Sequence, residues 1–169
     1  EFDSCCSRWQ GQYHWGVSYQ GLSTSSLARP APSPHKELSV VLSSSETEKV
    51  KQALVPLCGR RMYHASGAGY KVLCVILGLV DAYVFSEDTT FKWDSCGPHA
   101  ILRSLGGGVA DLASCLSHPH GGLPELKYHQ PRHGVQGAER WANHGGLVAF
   151  LSEKHLKEIL SALSGSVLQ

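Results

Sequence analysis

From residue 38 onward, short β-prone runs alternate with longer stretches of helical period, and this alternation limits the chain to few folds. Residues 38–42 read as a short strand, and Val50, Ala53, Leu54 and Leu57 then recur at i, i+3, i+4 and i+7, one face of an amphipathic helix. Ser45, with Glu48 three residues on, has the spacing of a capping box, and Pro56 should weaken the end of that helix. Residues 67–77 suit either a buried strand or a helix, and we read helix, with Gly78 at its C-terminus. Residues 81–85 form the next strand. A helix over 94–105 follows, closed by Gly106, Gly107 and Gly108, then a strand over 109–112. A strand over 147–150 and a helix capped by Ser152, with Leu156, Ile159, Leu160 and Leu163 inward, complete the series. Strands that alternate with helices predict an α/β layered fold, here one domain over 1–169. Ahead of the series, 12–19 reads as a strand. The Ser- and Pro-rich stretch 23–36 and the His-, Gly- and Pro-rich stretch 117–138 read as loop-rich insertions.

Charge narrows the function classes. Fifteen basic and fourteen acidic residues leave a formal charge of +1, which argues against bulk attraction to nucleic acid or an anionic membrane, so any anion site must be local. No apolar run approaches the length of about 18 residues that a membrane helix needs, and the start carries no secretory signal, so no membrane insertion is expected. The six cysteines at 5, 6, 58, 74, 96 and 115 include no CxxC pair and no zinc spacing, which suits a reducing, cytoplasmic setting. The histidines at 118, 120, 129 and 133 lack fixed spacing and cysteine partners, so zinc is not expected there. The absence of an initiating methionine reads as a piece cut from a longer protein.

Four places could carry chemistry. Lys71 follows a Gly-rich turn, where backbone N–H groups and an ammonium could meet phosphate oxygens, or it is a solvated surface lysine. The backbone N–H groups of that turn are the second such place. Ser45 at a helix start is either a phosphate contact or a capping serine. Asp94 at the start of the second helix is either its cap or a ligand for a hard cation; from the residues alone the capping reading is favoured.

The segment that contains three of these resembles a known family. Gly67-Ala68-Gly69-Tyr70-Lys71, the run Phe85-Ser86-Glu87-Asp88-Thr89-Thr90-Phe91-Lys92-Trp93-Asp94-Ser95-Cys96, and His99-Ala100-Ile101-Leu102-Arg103 closely resemble the inositol polyphosphate 1-phosphatases. These sit within a larger lithium-sensitive group that includes inositol monophosphatase. The resemblance extends to Trp9-Gln10-Gly11-Gln12, Trp15-Gly16 and Ser18-Tyr19 near the start, and to Arg140-Trp141-Ala142-Asn143 and Gly145-Gly146-Leu147 near the end. It implies the C-terminal half of the sugar-phosphatase fold shared by inositol monophosphatase and fructose bisphosphatase, a sheet flanked by helices. It implies Mg²⁺-dependent, Li⁺-inhibited hydrolysis of the 1-phosphate of inositol 1,4-bisphosphate and inositol 1,3,4-trisphosphate. It makes Asp94 a metal ligand, reversing the reading from the residues alone, and makes Ser45, Gly67, Ala68 and Lys71 substrate contacts.

The departures are as informative. The group's Glu-rich metal site and its Asp-Pro-Ile/Leu-Asp-Gly/Ser-Thr run are absent, and the chain's five aspartates at 3, 81, 88, 94 and 111 lie in no such run. The missing N-terminal half would have to supply them in cis, so this chain alone is expected to be inactive, and a non-catalytic inositol phosphate binder or interaction module is the alternative. Thr47 stands where the family has a lysine. Gly97-Pro98 replaces small Ala-type residues, so the helix either carries a proline near its start or begins at Pro98.

Overall fold

The structure is a computed structural model that describes residues 11–118 and 121–167. Cys5, Cys6, Trp9, Gln10 and His120, used above, lie outside the described residues. In chain order the elements are β1 (Gly16–Tyr19), β2 (Leu22–Ser25), β3 (Val40–Leu42), α1 (Glu48–Cys58), β4 (Met62–His64) and α2 (Ala68–Ile76). Then follow β5 (Ala82–Phe85), α3 (Lys92–Ser104), β6 (Gly108–Asp111), α4 (Leu112–Ser117), β7 (Leu147–Phe150) and α5 (Glu153–Val167).

Five strands form one sheet in the order β4-β3-β5-β7-β6. β3 runs parallel to β4 and β5, while β7 is antiparallel to both β5 and β6. The side-chain period of two splits each strand between two cores. Val40, Leu42, Val84, Val148 and Phe150 face Leu54 of α1 and Leu156, Ile159 and Leu163 of α5. Val41, Tyr83, Phe85, Leu147 and Ala149 face Val72, Val75 and Ile76 of α2 and Leu102 of α3. A sheet covered on both faces explains why β5 and β7 read as continuous apolar runs. The result is the expected α/β layering, helix pairs on either side of a mixed sheet.

Three local expectations are corrected. The cap of α1 is Thr47, whose Oγ1 accepts from the Val50 amide at 3.4 Å, and not Ser45, which instead pairs with Ser43 Oγ at 3.0 Å. Pro56 does not end that helix: the ladder continues to Cys58, and the Gly59 amide bonds Val55 O at 2.8 Å. Burial of Leu54 and Cys58 against the sheet outweighs the lost bond to the Gln52 carbonyl. Likewise α3 starts at Lys92 and runs through Pro98 without restarting there, because Leu102, beyond the proline, is fully buried and holds the later turns in register.

Outside the main sheet, β1 and β2 pair as a hairpin through Gln20 and Gly21, both at positive φ, the handedness that a tight two-residue turn needs. Tyr13, Trp15, Val17, Tyr19 and Leu22 are exposed in and beside this hairpin. Within 117–138, Tyr128 fastens the insertion to α3. Its hydroxyl lies 2.8 Å from His99 Nδ1 and 3.5 Å from Ser95 Oγ, and Glu125 sits 3.7 Å from His99 Nε2. Burial holds the His99 imidazole below its ordinary range despite that carboxylate, so it is neutral at pH 7. Cys58, Cys74 and Cys115 are buried free thiols, and burial pushes Cys58 up to about 12 and Cys115 to about 11. Among the described residues no helix is long and apolar enough to cross a membrane.

Candidate functional site

Because β3, β4 and β5 run parallel, their C-terminal ends emerge at one edge of the sheet. Three loops leave there: 43–47 into α1, 65–67 into α2, and 86–91 into α3. Ser45, Gly67, Ala68, Lys71 and Asp94, the five residues singled out from sequence, therefore lie on or just beyond three neighbouring loops of one edge, where α/β folds gather ligands. The helices themselves converge: a Cβ on Gly69 would lie 3.6 Å from the Asp94 carbonyl oxygen, so the first turns of α2 and α3 touch.

The solvated surface-lysine reading of Lys71 is corrected, since the residue is 4% exposed. Its Nζ donates to Ala65 O at 3.2 Å and stands 5.0 Å from the centre of the Tyr83 ring, a cation-π arrangement. Burial lowers the ammonium from the usual lysine range, and the Glu46 carboxylate offsets part of that. Among the described residues its other two N–H groups have no partner. The α2 amides of Ala68, Gly69 and Tyr70 are likewise free of the helical ladder, whose first bond runs from Lys71 N to Gly67 O. An ammonium beside three outward amides can hold phosphate oxygens.

Glu46 is a member of this edge that the sequence did not disclose. It is 3% exposed. Its Oε1 accepts from the Thr47 amide at 3.0 Å and from Ser86 Oγ, and its Oε2 accepts from the Ser86 amide at 3.0 Å. One carboxylate thus ties the loop after β3 to the loop after β5. Tyr83 was missed as well. It is fully buried, and among the described residues its hydroxyl has no hydrogen-bond partner. Burial, with the nearby charges of Glu46 and Asp94, raises the phenol far above its ordinary range. Neither residue announces itself in a single sequence, because a buried acid and a strand tyrosine look like a surface acid and a core aromatic until their neighbours are known.

Asp94 is neither the cap position nor free. It is the third residue of α3, and its Oδ2 accepts from the Phe91 amide at 2.8 Å, the reach-back half of a capping box. Pro98 has no N–H to give the Asp94 carbonyl four residues back, so that carbonyl loses its helical partner. The C-terminal segment of the sequence resemblance meets the central run here: the Asn143 amide bonds Thr90 O at 2.8 Å, and Asn143 Nδ2 bonds Thr90 Oγ1 at 3.2 Å. Phe91 and Trp93 stack at 4.6 Å beside this join.

A hard cation such as Mg²⁺ wants close to six oxygen ligands. Asp94 offers one uncommitted carboxylate oxygen, Glu46 has both oxygens engaged, and no group of three His, Cys, Asp or Glu side chains among the described residues could hold a metal. The described residues do not form a magnesium site by themselves. A separate cavity of about 750 Å³ at the opposite edge collects Arg29, Lys36, Lys154 and His155. Two of its charges are committed internally, Arg29 to Leu151 O and Asp81 to Ser39.

Residues 5–156 match the inositol monophosphatase family, and the chain belongs to that family. Within it the chain is 51% identical, over 92% of its length, to inositol polyphosphate 1-phosphatase of Bos taurus, and 49% identical over the same share to that of Homo sapiens. Each match covers 44% of the relative, so the chain spans less than half the length of these curated relatives. A 3'(2'),5'-bisphosphate nucleotidase of Dictyostelium discoideum is 36% identical over 62% of the chain and 34% of its own length. Among solved structures, a Thermotoga maritima IMPase superposes with a TM-score of 0.56 at 17% identity, covering 86% of this chain and 49% of that one. Inositol monophosphatase from Anabaena gives 0.55 at 16% identity, over 85% and 53%. These superpositions establish the fold.

Proposed function

We propose that this chain carries the phosphate-holding edge of an inositol polyphosphate phosphatase, acting on the 1-phosphate of inositol 1,4-bisphosphate and inositol 1,3,4-trisphosphate. The observation that supports it is the buried Lys71 ammonium, two of its N–H bonds unspent, beside the free first-turn amides of α2 and one helix away from Asp94. In this reading Lys71 neutralises phosphate charge, Gly67 and Ala68 let the backbone approach the ligand, and Ser45 offers a hydroxyl from the neighbouring loop. The reaction class is phosphomonoester hydrolysis with Mg²⁺ and inhibition by Li⁺. Since the residues present do not complete a metal site, the metal-holding carboxylates belong to sequence beyond this chain, and the 169 residues alone bind without turning over. That second reading, a binder without catalysis, is favoured for the isolated chain by the lack of any three-ligand cluster among the described residues. A cytoplasmic setting suits its buried thiols.

Calorimetric titration with inositol 1,4-bisphosphate, paired with a phosphate-release assay, tests this. The chain should bind weakly, and Lys71→Ala should weaken binding about tenfold, the loss of one charged hydrogen-bonding group. Phosphate release with Mg²⁺ should be absent for both. Equal affinity of the two proteins, or turnover that millimolar Li⁺ abolishes, would remove the basis of the reading.

A further inference from the structure

We propose that the Tyr83 hydroxyl is a ligand-binding group of this edge, donating to a phosphate oxygen held beside Lys71. The inference rests on the phosphate-holding reading above and adds a residue to it. A fully buried hydroxyl without a partner is uncommon in a folded protein and calls for a cause. Among the described residues no acceptor, the uncommitted Asp94 Oδ1 included, lies within hydrogen-bond reach of the hydroxyl. Glu46 has both oxygens engaged by Thr47 and Ser86, and Asp94 Oδ2 is engaged by the Phe91 amide. The Lys71 ammonium over the ring is itself a donor and cannot accept.

The polarity of the surroundings says what the missing partner is. Burial raises the phenol above its ordinary range, so at neutral pH the hydroxyl keeps its proton and can donate. The Lys71 ammonium, with two N–H groups to spare, stands at 5.0 Å from the same ring. Donors of both kinds, one charged and one neutral, call for an acceptor rich in lone pairs, which a phosphate monoester is. Lys71 Nζ now rests on Ala65 O over the Tyr83 ring, and turning it outward would carry the ammonium to the anion. Lysine and tyrosine would then engage the ligand together, which explains why a lysine of this kind is folded back on a ring and not extended into solvent.

Tyr83→Phe, in the full 169-residue chain, keeps the ring, its packing and its cation-π face while deleting the hydroxyl. Titrated with inositol 1,4-bisphosphate, and in a second arm with inorganic phosphate, it should bind about tenfold more weakly than wild type, the loss of a hydrogen bond to a charged acceptor. Its melting temperature should be unchanged or higher, because no protein partner is lost. Unchanged affinity in Tyr83→Phe while Lys71→Ala weakens binding would overturn the role of the hydroxyl and leave the edge intact. A lowered melting temperature with affinity unaltered would show that the partner lies within the protein, and would also overturn it. If wild type does not bind, or if Lys71→Ala binds as wild type does, the phosphate-holding reading fails and this inference goes with it.

Discussion

Glu46→Ala should lower the folding free energy by about 3 kcal/mol, although the residue belongs to a run, Ser43 to Glu48, that looks like a solvated helix start. The deletion removes three hydrogen bonds to a charged acceptor and strands the Thr47 and Ser86 amides and the Ser86 hydroxyl. Bonds to charged groups contribute about 1.5–3 kcal/mol each, but the truncated site admits water to some donors, so the sum is not reached. In a domain of this size the loss corresponds to a fall in melting temperature of roughly 6–12 °C. Glu46→Gln retains one oxygen acceptor but turns an NH₂ toward a donor, and should fall between wild type and the alanine variant. Urea denaturation of the three proteins measures this, and equal midpoints would contradict the assignment of Glu46 as the tie between the loops after β3 and β5.

A second large effect is expected at Gly146, just ahead of β7. Its φ is +65°, and a Cβ there would lie 2.3 Å from Phe85 O and 3.0 Å from Ser86 Cα, contacts with backbone that cannot swing away. The left-handed conformation adds about 1–2 kcal/mol for a residue with a side chain, and displacing the end of β5 adds about as much, so Gly146→Ala should cost about 3 kcal/mol. Gly97 is the contrast. It lies in the interior of α3, and an added Cβ would meet nothing beyond its chain neighbours, so a backbone-entropy gain of about 0.5–1 kcal/mol is opposed only by crowding against the Pro98 ring and Gly97→Ala should stay close to wild type. Denaturation of both variants decides the matter, and a Gly146→Ala protein as stable as wild type would refute the packing described for the β5–β7 edge.

Period and turn signals carried the layered fold a long way. The strand at Leu147–Phe150 was legible to the residue, because a wholly apolar run between a Gly pair and a helix cap has one sensible reading. The helix over Ala68–Ile76 was chosen correctly from an ambiguous pattern. β2 was hidden in a run of serines that reads as loop, and β4, three residues long and largely exposed, has no pattern to detect. The shift of the α1 cap from Ser45 to Thr47 reflects two capping residues a step apart, between which only the built backbone distinguishes. In α3, Pro98 suggested a break that tertiary burial overrides. At the candidate site, Lys71 and Asp94 each stand out in the sequence at a helix start, and the parallel order of β3, β4 and β5 brings them to one edge. Glu46 and Tyr83 were invisible because their significance lies in what does or does not face them across 40 residues of chain or one layer of packing.

The central claim is that phosphate is held at the edge where β3, β4 and β5 end. Backbone amide NMR of the isotope-labelled chain, titrated with inositol 1,4-bisphosphate, tests it most directly. The amides of Ala68, Gly69, Tyr70 and Lys71 should shift in a saturable manner, with smaller changes at Thr47 and Ser86, and these shifts should vanish in Lys71→Ala. Shifts confined to the opposite edge around Arg29, Lys154 and His155, or none at millimolar ligand, would contradict it.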